Sequence, residues 1–208
     1  MMSFSNAVVT IVSNQMLAGF GGDMYISVMT IASSMRQLLE APNLAICEGT
    51  SPLISYNFGS ENGTRVWRSI RTMSLLAVAY TACAWAFIEW KPEWFIGVFT
   101  SDKELIEQCV PLFHIYLYAF VFQALQYSGQ TTFKALNKKG FAIFFSLFRK
   151  ILILVPLAIF LPYVHGLGAK GVFMAEPISN FVGGSICFIT MLVVVLPELR
   201  RMKNQSFA

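Results

Sequence analysis

The sequence predicts an all-α integral membrane protein built as a bundle of six transmembrane helices. Hydrophobic residues make up 56% of the 208-residue chain and charged residues 12%, whereas a soluble domain has about 25% charged residues. The mean hydropathy is +0.61. The apolar residues fall into blocks close to or above the roughly 20 residues that span a bilayer. There are six such blocks, at residues 3–19, 24–57, 68–90, 106–134, 141–163 and 171–196.

The first block is short and contains two adjacent polar residues, Asn14 and Gln15. Amide side chains in a membrane helix either bond to a neighbouring helix or line a polar cavity. We therefore treat both residues as candidates for lining a cavity, with helix-to-helix contact as the alternative.

The second block, 24–57, exceeds the thickness of a bilayer and carries charges. Arg36 and Glu40 are four residues apart, so they share a helix face and are expected to form a structural ion pair. Glu48 lies twelve residues beyond Arg36 and needs a different partner: a neighbouring helix, a water-filled cavity or a proton. Proton relays use such carboxyls, so we predict Glu48 as a candidate for proton or cation coupling. A hydrogen-bonded structural carboxyl is the alternative.

The fourth block carries an amide stripe. Glutamines recur at spacings of three and four residues and therefore lie on one helical face, with a tyrosine beside them: Gln123, Gln126, Gln130 and Tyr127. Such a stripe can line a cavity that binds cationic or aromatic compounds through hydrogen bonds and cation–π contacts. It can also hold helices together by hydrogen bonds across their interface.

The last block opens with Glu176 and Pro177. A proline suits the first turn of a helix, and an acid there suits the positive end of the helix dipole. We therefore expect a structural role for Glu176 at the helix start. Ser179, Gly183 and Gly184 follow as a small-residue face that allows close helix packing.

Motifs for catalysis or metal binding are missing from the sequence. There is no G-x-S-x-G, P-loop or H-E-x-x-H pattern, so we expect neither an enzyme nor a metal site. His114 and His165 have no second ligand at metal-binding spacing and are expected at the membrane interfaces. The cysteines form no C-x-x-C pair and are expected to be small buried residues: Cys47, Cys83, Cys109 and Cys187. Basic residues are spread over separate loops, which argues against nucleic-acid binding.

Basic residues cluster in alternate connections, which predicts the orientation. One cluster lies around residues 65–71, the next around 134–139, and the last in a basic tail at residues 199–208. The other connections hold few lysines beside several acids. Residues 1–198 would then form one six-helix lobe in the cell membrane, plasma or inner, with both termini in the cytoplasm.

Two runs of sequence resemble one family of transporters. GTSPLISYNFGSENGTRVWRSIR, residues 49–71, is similar to a helix end and loop of the multidrug and toxic compound extrusion (MATE) transporters. Residues 133–180 resemble that family's last two helices, with Arg149, Pro156 and Ala175-Glu176-Pro177 in the expected order. The GFGGD run at 19–23 is similar to an outer turn of the same family. The similarity covers nearly the whole chain, but only the second six-helix lobe of the family's two.

This resemblance implies a fold and a function. The expected fold is one lobe of a two-lobed transporter, with the substrate cavity between the lobes. The expected function is export of organic cations and drug-like compounds against a proton or sodium gradient, with no other cofactor. The missing first lobe would be on another chain, or would be replaced by a second copy in a parallel homodimer. In either case, this lobe and its partner would lie in the lipid bilayer.

The chain departs from the family pattern at its acids. Many sodium-coupled members have one acid in the opening helix of this lobe and another in the fourth, where this chain has Asn14, Gln15, Gln123 and Gln126. Glu48 stands where a glutamine is more common, which makes it the remaining coupling candidate. Two alternatives stay open: a truncated or accessory membrane protein that does not transport, and a lobe of a lipid-linked sugar flippase, which would require a cationic groove.

Overall fold

A computed structural model describes residues 2–164 and 166–205, and the secondary structure in this part of the chain is helical. The elements follow in the order α1 (Met2–Gly59), α2 (Gly63–Trp90), α3 (Pro92–Ile96), α4 (Lys103–Leu117), α5 (Phe120–Ala135), α6 (Lys139–Leu147), a π-helical segment (Phe148–Leu154), α7 (Val155–Phe160), a 3-10 turn (Leu161–Tyr163) and α8 (Ala169–Gln205). The predicted all-α class is confirmed.

The helix α1 is two helices joined at Gly22. That residue has φ 71° and ψ −166°, a conformation that glycine adopts without a steric penalty. The first part, residues 2–21, and the second, residues 23–59, correspond to the first two apolar blocks. The second part stays helical through Pro42 and Pro52, so the sharp change of backbone conformation in α1 lies at the glycine and not at the prolines.

Three helical stretches of the described residues are long and apolar enough to cross a membrane: Gly63–Trp90, Lys139–Tyr163 and Ala169–Met202. The helices α4 and α5 meet at a bend of 43°, and together they are long and apolar enough for a fourth crossing if the pair forms one span. The sequence had suggested a single apolar block over 106–134. Neither part of α1 meets the same requirement, because polar and charged residues interrupt its apolar runs. The count of six crossings is therefore approximate.

Two apolar cores are separated by a polar layer. One core joins both parts of α1 with α4, α7 and the start of α8, around Leu17, Phe113 and Phe173. The other joins the end of α1 with α2, α5, α6 and the end of α8, around Ile54 and Met191. Along α1, α5, the π-helical segment and α8, charged and amide residues lie between the stretches that supply the two cores. The paired charges Arg36, Glu40, Arg149 and Glu176 are thereby concentrated at one level of the bundle.

The basic segments meet at one end of the molecule. Lys138, before α6, forms an ion pair of 3.1 Å with Glu198 in α8. At the start of α2, a side chain on Gly63 would lie 2.5 Å from the carbonyl oxygen of Leu199. The α1–α2 loop, the α5–α6 loop and the end of α8 are therefore neighbours.

A polar cavity between helices α1, α5 and α8 as the candidate functional site

A carboxylate shared by two arginines forms the centre of the polar layer. Glu176 Oε1 accepts hydrogen bonds from Arg36 at 2.6 Å and from Arg149 at 3.1 Å. Arg36 also pairs with Glu40 at 3.1 Å, one turn along the same helix. The Arg149 and Glu176 side chains are only 4% and 6% exposed. Buried charges require such pairing because an isolated charge in a medium of low polarity is very costly.

Neutral groups add further bonds to this cluster, although Arg36 Nε, Arg149 Nε and Gln123 Oε1 are buried without a hydrogen-bond partner. Glu40 accepts from the amide of Gln123 and from the hydroxyl of Tyr127, the latter at 3.2 Å. Arg149 donates to Asn180 on α8. The Arg36 guanidinium lies 5.8 Å from the centre of the Tyr116 ring, a cation–π contact. The charges therefore hold α1, α4, α5, α8 and the π-helical segment together.

The predicted Arg36–Glu40 pair exists, but it is one part of this larger cluster. The expectation for Glu176 was wrong: α8 begins at Ala169, so Glu176 lies two turns inside the helix and no acid occupies the first turn. Its partners are side chains of other helices, not the helix dipole. Sequence spacing identifies partners on the same helix only, and the Arg36 and Arg149 contacts to Glu176 span 140 and 27 residues.

The position of Arg149 depends on two local features. Pro156 has no amide hydrogen for the preceding turn, and a wider π-helical turn relieves its clash with that turn. The π-helical segment directly precedes it. On α8, a side-chain carbon on Gly183 would lie 2.7 Å from Arg149 Cγ, so the glycine leaves room for the arginine stem.

An open cavity of about 400 Å³ lies against the charged cluster. Its wall includes residues from both parts of α1, from α5 and from the π-helical segment, among them Thr10, Ser13, Asn14, Gln37, Gln123 and Lys150. Ligand sites for drug-sized compounds usually have volumes of about 300–1,000 Å³. The cavity is thus large enough for a small organic compound, and it is lined by both charged and neutral polar groups.

A smaller cavity of about 170 Å³ lies beside it, and Asn6, Tyr127, Arg149 and Lys150 belong to both walls. Glu48, Gln126 and Gln130 line this second cavity. Glu48 is exposed and makes no hydrogen bond or ion pair with the described residues. Its carboxylate faces a wall that also carries Lys134, Arg149 and Lys150.

The structure thus places five of the predicted cavity residues at these two cavities: Asn14, Gln123, Gln126, Gln130 and Tyr127. Gln15 is exposed and belongs to neither wall, because it is turned away from its neighbour Asn14 by about 100° around the helix. Sequence reasoning did not select Arg149, Lys150 or Glu176 as site residues. The available signal was that all three are ionisable residues inside apolar blocks.

Other predicted residues lie away from the cavities. His114 contacts the carboxylate of Glu89 on α2, and His165 lies outside the described residues. Within residues 2–164 and 166–205, no group of three or more His, Cys, Asp or Glu side chains is placed to hold a metal ion. Cys47, Cys109 and Cys187 are buried, but Cys83 is exposed on α2, so the expectation of burial was wrong for that cysteine.

The long apolar helices are those of a membrane protein, and a polar cavity lies between them. The MatE family model matches residues 1–160, and the chain therefore belongs to the MatE family. This confirms the resemblance seen in the sequence. Membership in a transporter family also fits the expectation that the chain is not an enzyme.

Individual relatives agree with this assignment. The chain is 29% identical over 106 residues to the multidrug export protein MepA of Staphylococcus saprophyticus, a match covering 51% of this chain and 23% of MepA. An outward-facing multidrug resistance MATE family transporter of the MOP superfamily has TM-score 0.88 and 17% identity, covering 96% of this chain and 45% of that one. An inward-facing structure has TM-score 0.89 and 17% identity, covering 96% and 46%. The likeness to these two structures shows the fold, and the chain spans less than half of their length.

Proposed function

We propose that the chain is one lobe of a secondary active exporter that moves drug-like organic compounds across the cell membrane. The observation that carries this proposal is the charged cluster on the wall of an open cavity inside apolar helices. A buried ionisable group in a membrane helix is costly, and it typically marks a substrate or ion pathway. Membership in the MatE family and the multidrug relatives support the same class of function.

The lobe acts with a complementary half. The chain spans less than half of the similar transporters, and the cavity is open in the described part of this chain. A first lobe on another chain, or a second copy in a parallel homodimer, would close it. The clustering of basic loops at one end supports a cytoplasmic location for that end and for both termini.

Glu48 is the proposed coupling residue, with a proton or sodium ion as the coupling ion. It has no described partner, whereas Glu40 and Glu176 are bonded to arginines. A carboxylate that is free on a cavity wall can bind and release a cation during a transport cycle. A carboxylate held by two buried guanidinium groups would leave them uncompensated if it were protonated.

Organic cations are the substrates that the family resemblance implies. A lipid-linked sugar flippase is the second candidate function, because Arg36, Arg149 and Lys150 all line the larger cavity. Cationic side chains inside a membrane bundle suit the phosphates of a lipid-linked sugar. The third alternative is an accessory or truncated protein without transport activity.

Efflux from proteoliposomes tests the proposal. The chain is reconstituted alone and with a co-expressed first lobe of a MATE transporter, and release of ethidium is followed under a proton or a sodium gradient. We expect gradient-dependent ethidium movement that is abolished by an ionophore for the coupling ion. Lack of movement under every condition, with correctly inserted protein, would favour the accessory role. Movement of a lipid-linked phosphate in place of the dye would favour the flippase.

A further inference from the structure

Lys150 is a membrane-embedded cation without a carboxylate partner. It lies near the middle of the apolar stretch Lys139–Tyr163 and belongs to the walls of both cavities. Its ammonium group donates to the side-chain oxygen of Asn6. In the described part of the chain, no carboxylate forms an ion pair with it. An ammonium group has three N–H donors, so the other two have no acceptor among the described residues and are available to a ligand.

The cavity as a whole carries a surplus positive charge. Three cations line it, Arg36, Arg149 and Lys150, against two carboxylates, Glu40 and Glu176. Both carboxylates are taken up by the arginines. We call Arg36, Glu40, Arg149 and Glu176 the compensated cluster, because their charges sum to zero. The positive charge that is left on the cavity wall is therefore that of Lys150.

We propose that the larger cavity binds the oxyanion of an organic compound, a carboxylate, phosphate or sulfonate, with Lys150 as its charged partner. An oxyanion supplies both the missing charge and the missing acceptors, and charge-assisted hydrogen bonds of this kind are the strong ones. The side chains of Ser13 and Asn14 provide neutral donors on the same wall, whereas the Thr10 hydroxyl already donates to the backbone carbonyl of Asn6. The role of this site in export rests on the proposed function, but the binding itself does not.

The same geometry disfavours organic cations in this cavity. A cationic ligand would meet an unpaired ammonium group and no unpaired carboxylate, since Glu40 and Glu176 are already bonded. It would have to displace an arginine, which would leave a buried charge without a partner. An unpaired carboxylate, Glu48, lies only on the wall of the smaller cavity, where Lys134 and Lys150 also lie.

Binding of two matched dyes tests this proposal. The full chain is placed in phosphatidylcholine nanodiscs and titrated with dansylglycine, which carries a carboxylate, and with dansylcadaverine, which carries an amine. We expect tighter binding of dansylglycine. Its Kd should rise about tenfold in Lys150→Gln, in line with the loss of a charge-assisted hydrogen bond, and should be largely restored in Lys150→Arg. Lys103→Gln, which changes an exposed lysine on α4, should have no effect. Circular dichroism checks that each variant is folded.

The source of the oxyanion is distinguished by competition. Displacement of dansylglycine by phosphatidylglycerol in the nanodisc, but not by soluble benzoate, identifies a lipid headgroup; displacement by benzoate identifies a soluble organic anion. Equal affinity for both dyes, or an unchanged Kd in Lys150→Gln, overturns the proposal. If adding the first lobe abolished dansylglycine binding, an acid of that lobe would be the partner of Lys150. This result would also overturn the proposal. These binding results do not depend on whether ethidium is exported.

Discussion

Two kinds of charge lie within the same bundle of helices. In the compensated cluster, the charges of Arg36, Glu40, Arg149 and Glu176 are paired across three segments of the fold. Lys150 and Glu48 lie on the cavity walls close to this cluster, yet neither forms an ion pair with the described residues. The first group ties helices together, and its members are poor candidates for exchanging ligands. The second group is available for an ion or a substrate.

The difference between paired and unpaired charges is tested most strongly at Glu176, the carboxylate that two arginines share. Glu176→Gln should lower the free energy of unfolding in detergent by about 3–5 kcal/mol, because two buried arginines lose their common partner. Thermal and denaturant unfolding followed by circular dichroism measures the loss. Glu107→Gln, an exposed acid on α4, serves as the control and should change little. A Glu176→Gln variant as stable as the parent would show that the cluster does not hold the fold.

The next largest loss of stability is expected where α5 packs closely against α8. A side-chain carbon at position 184 would lie 2.3 Å from the carbonyl oxygen of Phe122, so Gly184→Ala must push the two helices apart. Overpacking of this kind costs about 1–3 kcal/mol. Gly140→Ala is the matched control, since nothing lies within 4 Å of its added carbon. Equal stability of the two variants would contradict this packing.

Glu48 should behave in the opposite way to Glu176. Glu48→Gln is expected to change the free energy of unfolding by less than about 0.5 kcal/mol, as for an exposed residue without a partner. In the proteoliposome assay it should abolish movement driven by the ion gradient. Transport that survives unchanged would remove Glu48 from the coupling mechanism and assign the ion site to the other lobe.

A small effect on stability, and none on dye binding, is expected at the pair between α2 and α4. His114 and Glu89 have side chains 36% and 29% exposed, and ion pairs of this kind contribute about 0.2–1 kcal/mol. Glu89→Gln should therefore lower the melting temperature only slightly and leave dye binding unchanged. If Glu89→Gln lowered stability as much as Glu176→Gln, a partly exposed pair would contribute as much as the buried cluster, and the prediction would be wrong.

Local patterns predicted a large part of the site. The helical spacing of Gln123, Tyr127 and Gln130 identified a single face of α5, and that face lines the cavities. The four-residue spacing of Arg36 and Glu40 identified a real ion pair. The same reasoning misassigned Glu176, because its proximity to Pro177 suggested a helix start. The helix α8 begins two turns earlier, at Ala169.

The sequence by itself determined the class of the molecule, since long apolar blocks with few charges are stable only in a membrane, and every backbone group there must be bonded within helices. It also determined which residues are too polar for lipid. Only the tertiary structure decided how those residues are paired. The partners of Glu176 lie on α1 and on the π-helical segment, and the distance between helices depends on glycines, bends and packing that no spacing along one helix encodes. For the same reason, only the fold showed that, among the described residues lining the larger cavity, Lys150 is the cation without a carboxylate partner.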